Sequence, residues 1–479
     1  MNNLIESLKS KKFRYGAFST LLAVFVIAIL LVVNLVVEQL NIRFDLTPTR
    51  MYSISQASID FIRDLEEDVT IYALFRTGQE PMQFQLLLEQ YSIHSNRVRV
   101  VYRDPFLHPQ FVDQFRRGEE EDIPVNSVIV TTGRRHRVIP AGDMATFRFN
   151  MDTWRNELVS IDIEPQVTNA IVYVTEDYTP VIYMLTGQNE FQMSQAMIDR
   201  FMLNNYEFRE INLFYEERVP EDAAMLFVTT PERDWPPIVA DRVREYLAND
   251  GNAFFLIDYT VIELPNLRAV LNSYGVDIPR MVVHEASLRN MLQANPLFVL
   301  PDWIAHDVTR PLIQAGYRNL IVMPMPVETL EIRKSSLTIE PLFVSSNVSY
   351  AKTEAGATIN REPGDIDGPF DLAVAITDSF FTSRQHTSRL VVMGTTSLLD
   401  PTIDNLIHGA NADFVLNSIN WLVGGRATMF IRSMSPDTGL RSLMIDDFQG
   451  LVISIVSMAL IPIAILATGI VVWMRRRNR

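Results

Sequence analysis

Thr186, Gly187, Gln188 and Glu190 directly follow the apolar run Val181 to Leu185, and Gly394 and Thr395 follow a second apolar run that ends at Met393. Both runs read as buried strands. In an open α/β sheet, ligands bind at the carboxyl ends of the strands. These two loops are therefore the candidate ligand-binding residues; they could cradle a small polar ligand and together form one rim. The same residues also meet a structural need, a tight strand-to-helix turn in which Gly187 supplies the backbone freedom.

Covalent chemistry has few residues to use. The chain has no cysteine, which excludes disulfides, thiolate metal sites and cysteine nucleophiles. No glycine is followed by lysine, so the phosphate loop of an ATPase is absent. His284-Glu285 runs on into Ala286, Ser287 and Leu288 and not into a zinc-binding helix motif, and the seven histidines are scattered. No G-x-S-x-G elbow occurs. The expectation is no catalytic residue, no metal and no cofactor. The acidic run Glu119 to Asp122 reads as a solvated loop. Arg134-Arg135-His136-Arg137 reads as a basic hairpin tip, either for solubility or for an acidic partner.

The elements that must position these loops follow from pattern. Val69 to Phe75 and Val98 to Asp104 read as strands and Met82 to Ile93 as a helix. Phe111 to Arg117 reads as a short helix, Ser127 to Thr132 and His136 to Pro140 as a hairpin about Gly133, and Asp162 to Val174 as a closing helix. That βαβαββ order resembles a thioredoxin-like domain, although Arg76-Thr77-Gly78-Gln79 stands where a redox pair would lie. From Pro180 onward strands alternate with helices: Val239 to Leu247, Leu267 to Tyr274 and Ala412 to Leu422 are helices, and a mainly parallel sheet with helices on both faces is expected. This second part reads as a flavodoxin-like or amidotransferase-like α/β domain. Residues 276–365, less regular and rich in proline, read as an insertion plus edge strands.

The two ends differ from this pattern. Tyr15 to Val37 and Leu451 to Trp473 carry no charged side chain, long enough for the roughly 20 residues that cross a bilayer. Lys9, Lys11, Lys12 and Arg14 precede the first run, and Arg475, Arg476, Arg477 and Arg479 follow the second. The expected architecture is thus an α/β two-span membrane protein with both termini cytoplasmic and its bulk extracytoplasmic, in the cell membrane. Its parts are basic tails at 1–14 and 475–479, transmembrane helices at 15–40 and 451–474, a thioredoxin-like part at 41–176, an α/β part at 177–430 and a return linker at 431–450. Arg43, Asp45, Arg50 and Tyr52 lie just past the first run, as a collar against the lipid bilayer surface or a partner contact. The net charge of −15 argues against nucleic acid as a partner.

Several segments carry a family resemblance. Arg43-Phe44-Asp45-Leu46-Thr47 with Arg50, Tyr52, Ser53 and Ser55 is similar to the signature after the first span in the auxiliary component of gliding-motility-type ABC transport systems. Thr186-Gly187 with Glu190 resembles the T-G-H-G-E turn of that family, with Gln188-Asn189 in place of His-Gly. Pro341 to Ser346, Gly368 to Ala375 and Asn411 to Leu422 resemble further family segments in the same order. The resemblance implies a non-catalytic, membrane-anchored subunit that accompanies a multi-span ABC permease and a separate P-loop ATPase and presents an extracytoplasmic binding surface. It also implies an ectodomain resembling the domain shared with intraflagellar transport proteins. Two other readings stay open: a module that binds envelope polysaccharide or another ligand without a transporter, and an envelope hydrolase.

Overall fold

The computed structural model describes residues 53–424 apart from 117–121, 151–154, 177–178, 261, 317, 354–357 and 382–384, together with positions 25, 26, 29 and 474. Helix α1 (Gln56–Arg63) starts where Ser55 caps it: its side-chain oxygen accepts from the Ser58 amide at 3.2 Å. Then follow β1 (Val69–Ala73), α2 (Met82–His94), β2 (Val98–Tyr102), α3 (Pro109–Asp113), β3 (Val128–Thr131) and β4 (His136–Ile139). They form a four-stranded sheet of order β2-β1-β3-β4, with β1 and β2 parallel and the other pairs antiparallel. A hairpin of β5 (Ala145–Asn150) and β6 (Arg155–Ile161), absent from the sequence reading, precedes α4 (Ile163–Thr175). Helix α4 packs on β3 and β4.

The second sheet begins with β7 (Val181–Leu185), α5 (Gln195–Met202), β8 (Glu207–Ile211), β9 (Ala223–Thr229), α6 (Pro237–Ala248), β10 (Ala253–Leu256) and α7 (Pro265–Ser273). After short antiparallel pairs come β11 (Asp302–Trp303), α8 (Arg310–Ala315), β12 (Leu337–Val344), β13 (Asp371–Phe381), β14 (Gln385–Met393), α9 (Pro401–Leu406) and α10 (Ala410–Val423). The eight strands run in the order β11-β12-β13-β14-β10-β9-β7-β8. From β14 to β8 neighbours are parallel, whereas β13, β12 and β11 are attached antiparallel at one side.

Alternation along each strand loads both faces of this sheet. Ile182, Phe227, Phe254 and Val391 pack with Met197 and Phe201 of α5 and Phe414 and Ile419 of α10. Tyr183, Leu226, Phe255 and Val392 pack on the other face with Val239 and Val243 of α6 and Leu267 and Leu271 of α7. Within 276–365, β12 is a full member of the main sheet. The pairing with β13 shifts register between Pro341 and Phe343, the kind of irregularity at which a strand accommodates proline.

The expected fold class needs correction. Among the described residues no helix is long and apolar enough to cross a membrane, and the structure is that of a mixed α/β protein. Apart from positions 25, 26, 29 and 474, the segments 1–52 and 425–479 that suggested two spans lie outside the described residues. The narrower fold labels are not carried either. A flavodoxin-like sheet is wholly parallel, whereas three neighbouring strand pairs here are antiparallel; the β5–β6 hairpin interrupts the thioredoxin-like order.

Candidate functional site

At the carboxyl ends of β7, β10 and β14 the chain leaves a cavity of about 360 Å³. Its floor is stitched by one carboxylate. Asp258, just past β10, accepts from the Thr396 backbone amide at 2.6 Å and from the Thr396 hydroxyl. The Asp258 amide in turn donates to Thr230 Oγ1, at the end of β9, at 2.6 Å. One side is the turn after β14: Thr395 Oγ1 donates to the Val322 carbonyl at 3.2 Å, and Ser397 Oγ accepts from the Val322 amide at 3.0 Å. Met323, next in chain, holds a left-handed backbone at φ 49° and is 40 % exposed. A bulky side chain in that conformation is uncommon, and such strain collects at functional sites.

The opposite side comes from the loop after β7. Phe191, Gln192 and Ser194 line the cavity there, with Phe191 40 % exposed. Ser194 caps α5, its oxygen accepting from the Met197 amide at 3.3 Å. Tyr259 and Asp400 complete the polar lining, and no lysine, arginine or histidine takes part.

The sequence-predicted residues divide between lining and support. Thr395 lines the cavity. Gly394 lies behind it: a Cβ there would sit 1.9 Å from the Met325 carbonyl oxygen, and the Met325 amide donates to the Gly394 carbonyl at 2.7 Å. Thr186 is tied to β8 through the Ile211 carbonyl, by its amide at 2.8 Å and its hydroxyl at 3.2 Å. Gly187 takes φ 123°, and a Cβ would meet the Asn212 side chain at 2.7 Å. The Gln188 amide donates to Glu190 Oε2 at 2.9 Å. Glu190 is buried with Oε1 unbonded; burial raises its pKa, opposed by the loop amides. Thus Thr186, Gly187, Gln188 and Glu190 shape the loop, while the residues that follow them reach the cavity. Arg43, Asp45, Arg50 and Tyr52 lie outside the described residues.

The sequence reading passed over Asp258, Phe191, Met323 and Asp400. For Asp258 a signal was present, an acidic residue at the carboxyl end of a strongly apolar run. The basic hairpin tip is used internally: Arg134 pairs with Glu67, Arg137 bonds Asn205, and the Arg135 guanidinium lies 4.2 Å from the Tyr173 ring centre. Chemically the cavity offers hydroxyls, an amide, two carboxylates and exposed apolar surface. Within the lining the Thr396 hydroxyl is bonded to the Asp258 carboxylate. Among the described residues no cluster of three or more His, Asp or Glu could hold a metal ion.

A family model described as an ABC-type uncharacterized transport system matches residues 179–418, and one described as a domain of unknown function matches residues 48–140. No curated protein matches the chain. Among solved structures, the chain is similar to one titled "mmIFT52 N-terminal domain", at 11% identity and TM-score 0.37, covering 51% of this chain and 98% of that one. A second, titled "Structure of PurLQS from Thermotoga maritima", aligns at 8% identity and TM-score 0.26 over 51% of this chain and 100% of that one.

Proposed function

The chain belongs to the family described as an ABC-type uncharacterized transport system, and from this premise we propose that it is a non-catalytic auxiliary subunit whose cavity is a binding surface. The family implies association with an ABC transporter. The finer reading assigns ATP hydrolysis to a separate P-loop ATPase and the pathway to a multi-span permease. What carries it is the family match together with the absence of any Gly-Lys pair in the chain, which leaves it without a phosphate loop of its own. In this reading the protein works at the cell membrane beside the permease, with its α/β body on the extracytoplasmic side. The resemblance of the 43–55 segment supports the gliding-motility branch as the narrower assignment.

Tagged full-length protein, extracted under conditions that preserve a known transporter complex, tests this. Co-purification of an ABC ATPase and a permease is expected; recovery of the chain without either contradicts it. Recovery of a folded chain that binds a ligand with no transporter present would support the second reading, a free-standing binding module. The same purification separates the two.

A further inference from the structure

We propose that the cavity between β7, β10 and β14 takes a neutral, hydroxyl-rich ligand, a saccharide, and rejects its anionic derivatives. The assignment rests on reading this cavity as a binding site and is independent of which transporter the chain joins. A volume of about 360 Å³ lies in the range of small-molecule sites, roughly 300–1,000 Å³.

The lining decides the class. Switch-point cavities of α/β sheets commonly hold phosphates through glycine-rich amides and basic side chains. Here no basic residue lines the cavity, and Asp258 and Asp400 give it negative charge. A phosphate or carboxylate would lose its water beside like charge, with no basic side chain in the lining to pair with it. An organic cation would satisfy the carboxylates but leave the donors unused. Those donors are the Gln192 amide, the Tyr259 phenol and the Ser194 hydroxyl, whose oxygen accepts from the Met197 amide and whose O–H can still donate.

A sugar hydroxyl both donates and accepts, so a ring bearing several matches this mixture of donors and acceptors. The apolar side agrees. Phe191 and Met323 are each 40 % exposed at this cavity, and a pyranose ring has a C–H face that packs on such a surface. Asp258 is held by Thr396 through both oxygens and is therefore already oriented, so little ordering cost remains when a ligand hydroxyl arrives.

Saturation-transfer NMR and calorimetry on the full chain test the assignment. The probes are glucose, galactose, mannose, N-acetylglucosamine and their disaccharides, each beside its 6-phosphate or uronic acid. Saturable binding of at least one neutral sugar is expected, with its anionic partner weaker by about tenfold or more. Phe191→Ala should weaken that binding about fivefold, and Gln192→Ala should also weaken it. Phe214→Ala, which removes an aromatic outside the lining, should leave it unchanged. Both Phe191 and Gln192 are exposed, so the variants are expected to fold, and an unchanged melting temperature confirms it. Absence of saturable binding across the panel, equal or tighter binding of the anionic forms, or insensitivity to Phe191→Ala overturns the proposal. A transporter complex that survives such a result refutes the ligand class alone; sugar binding without a complex refutes the subunit reading alone.

Discussion

The Thr396 backbone amide lies 2.6 Å from Asp258 Oδ1, and the Thr396 hydroxyl bonds the other oxygen of the same carboxylate. Asp258 follows β10 and Thr396 follows β14, so two residues 138 positions apart in sequence meet at the ends of strands adjacent in the sheet. One side chain thereby fixes the separation of two loops that line the cavity.

Asp258→Ala should cost about 1–3 kcal/mol, because it strips a charged acceptor from two donors at once. Thr396→Val keeps the amide and loses the hydroxyl, so it should cost less. Urea denaturation of the two single variants and the double variant should show non-additive effects, with coupling above about 0.5 kcal/mol. Additive losses would mean that the contact does not stabilise the fold.

Gly394→Ala should destabilise by about 1–3 kcal/mol or more, since the added methyl would overlap Met325 main chain, which has no rotamer to give way. The thermal midpoint reads this out. An unchanged midpoint would show that the turn after β14 can shift away from Met325.

Asp404 is buried beneath Arg200. Its Oδ1 accepts from the Asn411 and Ala412 amides at 3.1 and 3.0 Å at the start of α10, and its Oδ2 pairs with Arg200 at 2.6 Å. Asp404→Asn keeps the cap and loses the ion pair; Asp404→Ala loses both. The alanine variant should therefore be less stable than the asparagine variant by about 0.5–2 kcal/mol, the usual worth of a cap. Equal stability of the two would show that the cap contributes nothing.

Glu164 is buried in α4, where its Oε1 accepts from the Ser55 amide and the Ser58 hydroxyl, both at 2.6 Å. Burial raises its pKa above the ordinary 4.5, with the serine bonds opposing. The folded state therefore holds the proton where the unfolded chain has released it. The corresponding stability is fully present below pH 4.5 and is lost as pH rises through the folded value. Glu164→Gln keeps an acceptor for both serines and does not titrate. Its melting temperature relative to wild type should rise between pH 4.5 and about pH 7. A difference that stays constant with pH would contradict a raised Glu164.

How much of this was legible in the sequence differs by element. Helix α6 was expected at Val239 to Leu247 and spans Pro237–Ala248, because its apolar residues recur at helical spacing and Pro237 marks the start. The β5–β6 hairpin was not foreseen: Thr146 to Asn150 alternates apolar and polar residues too briefly to stand out. Strand β12 was hidden by Pro341, a strand breaker that a register shift accommodates. Thr395 could be placed at the cavity because a loop after a buried strand must lie at the sheet's edge. Phe191 could not, because its role depends on how the β7 loop folds over Thr230: the Phe191 amide donates to the Thr230 carbonyl, and the Thr229 hydroxyl donates to the Phe191 carbonyl, both at 2.9 Å. These are contacts between a loop and a strand end more than thirty residues apart, and no local pattern records them.

The central claim is that this chain assists an ABC transporter and does not itself turn over ATP. Its most direct test is ATP hydrolysis by the recovered ATPase and permease, reconstituted with and without the full chain, alongside the chain alone. The account predicts no turnover by the chain alone and a saturable change in transporter turnover when it is added. ATP hydrolysis by the isolated chain, or transporter turnover unaffected at saturating chain, would contradict it.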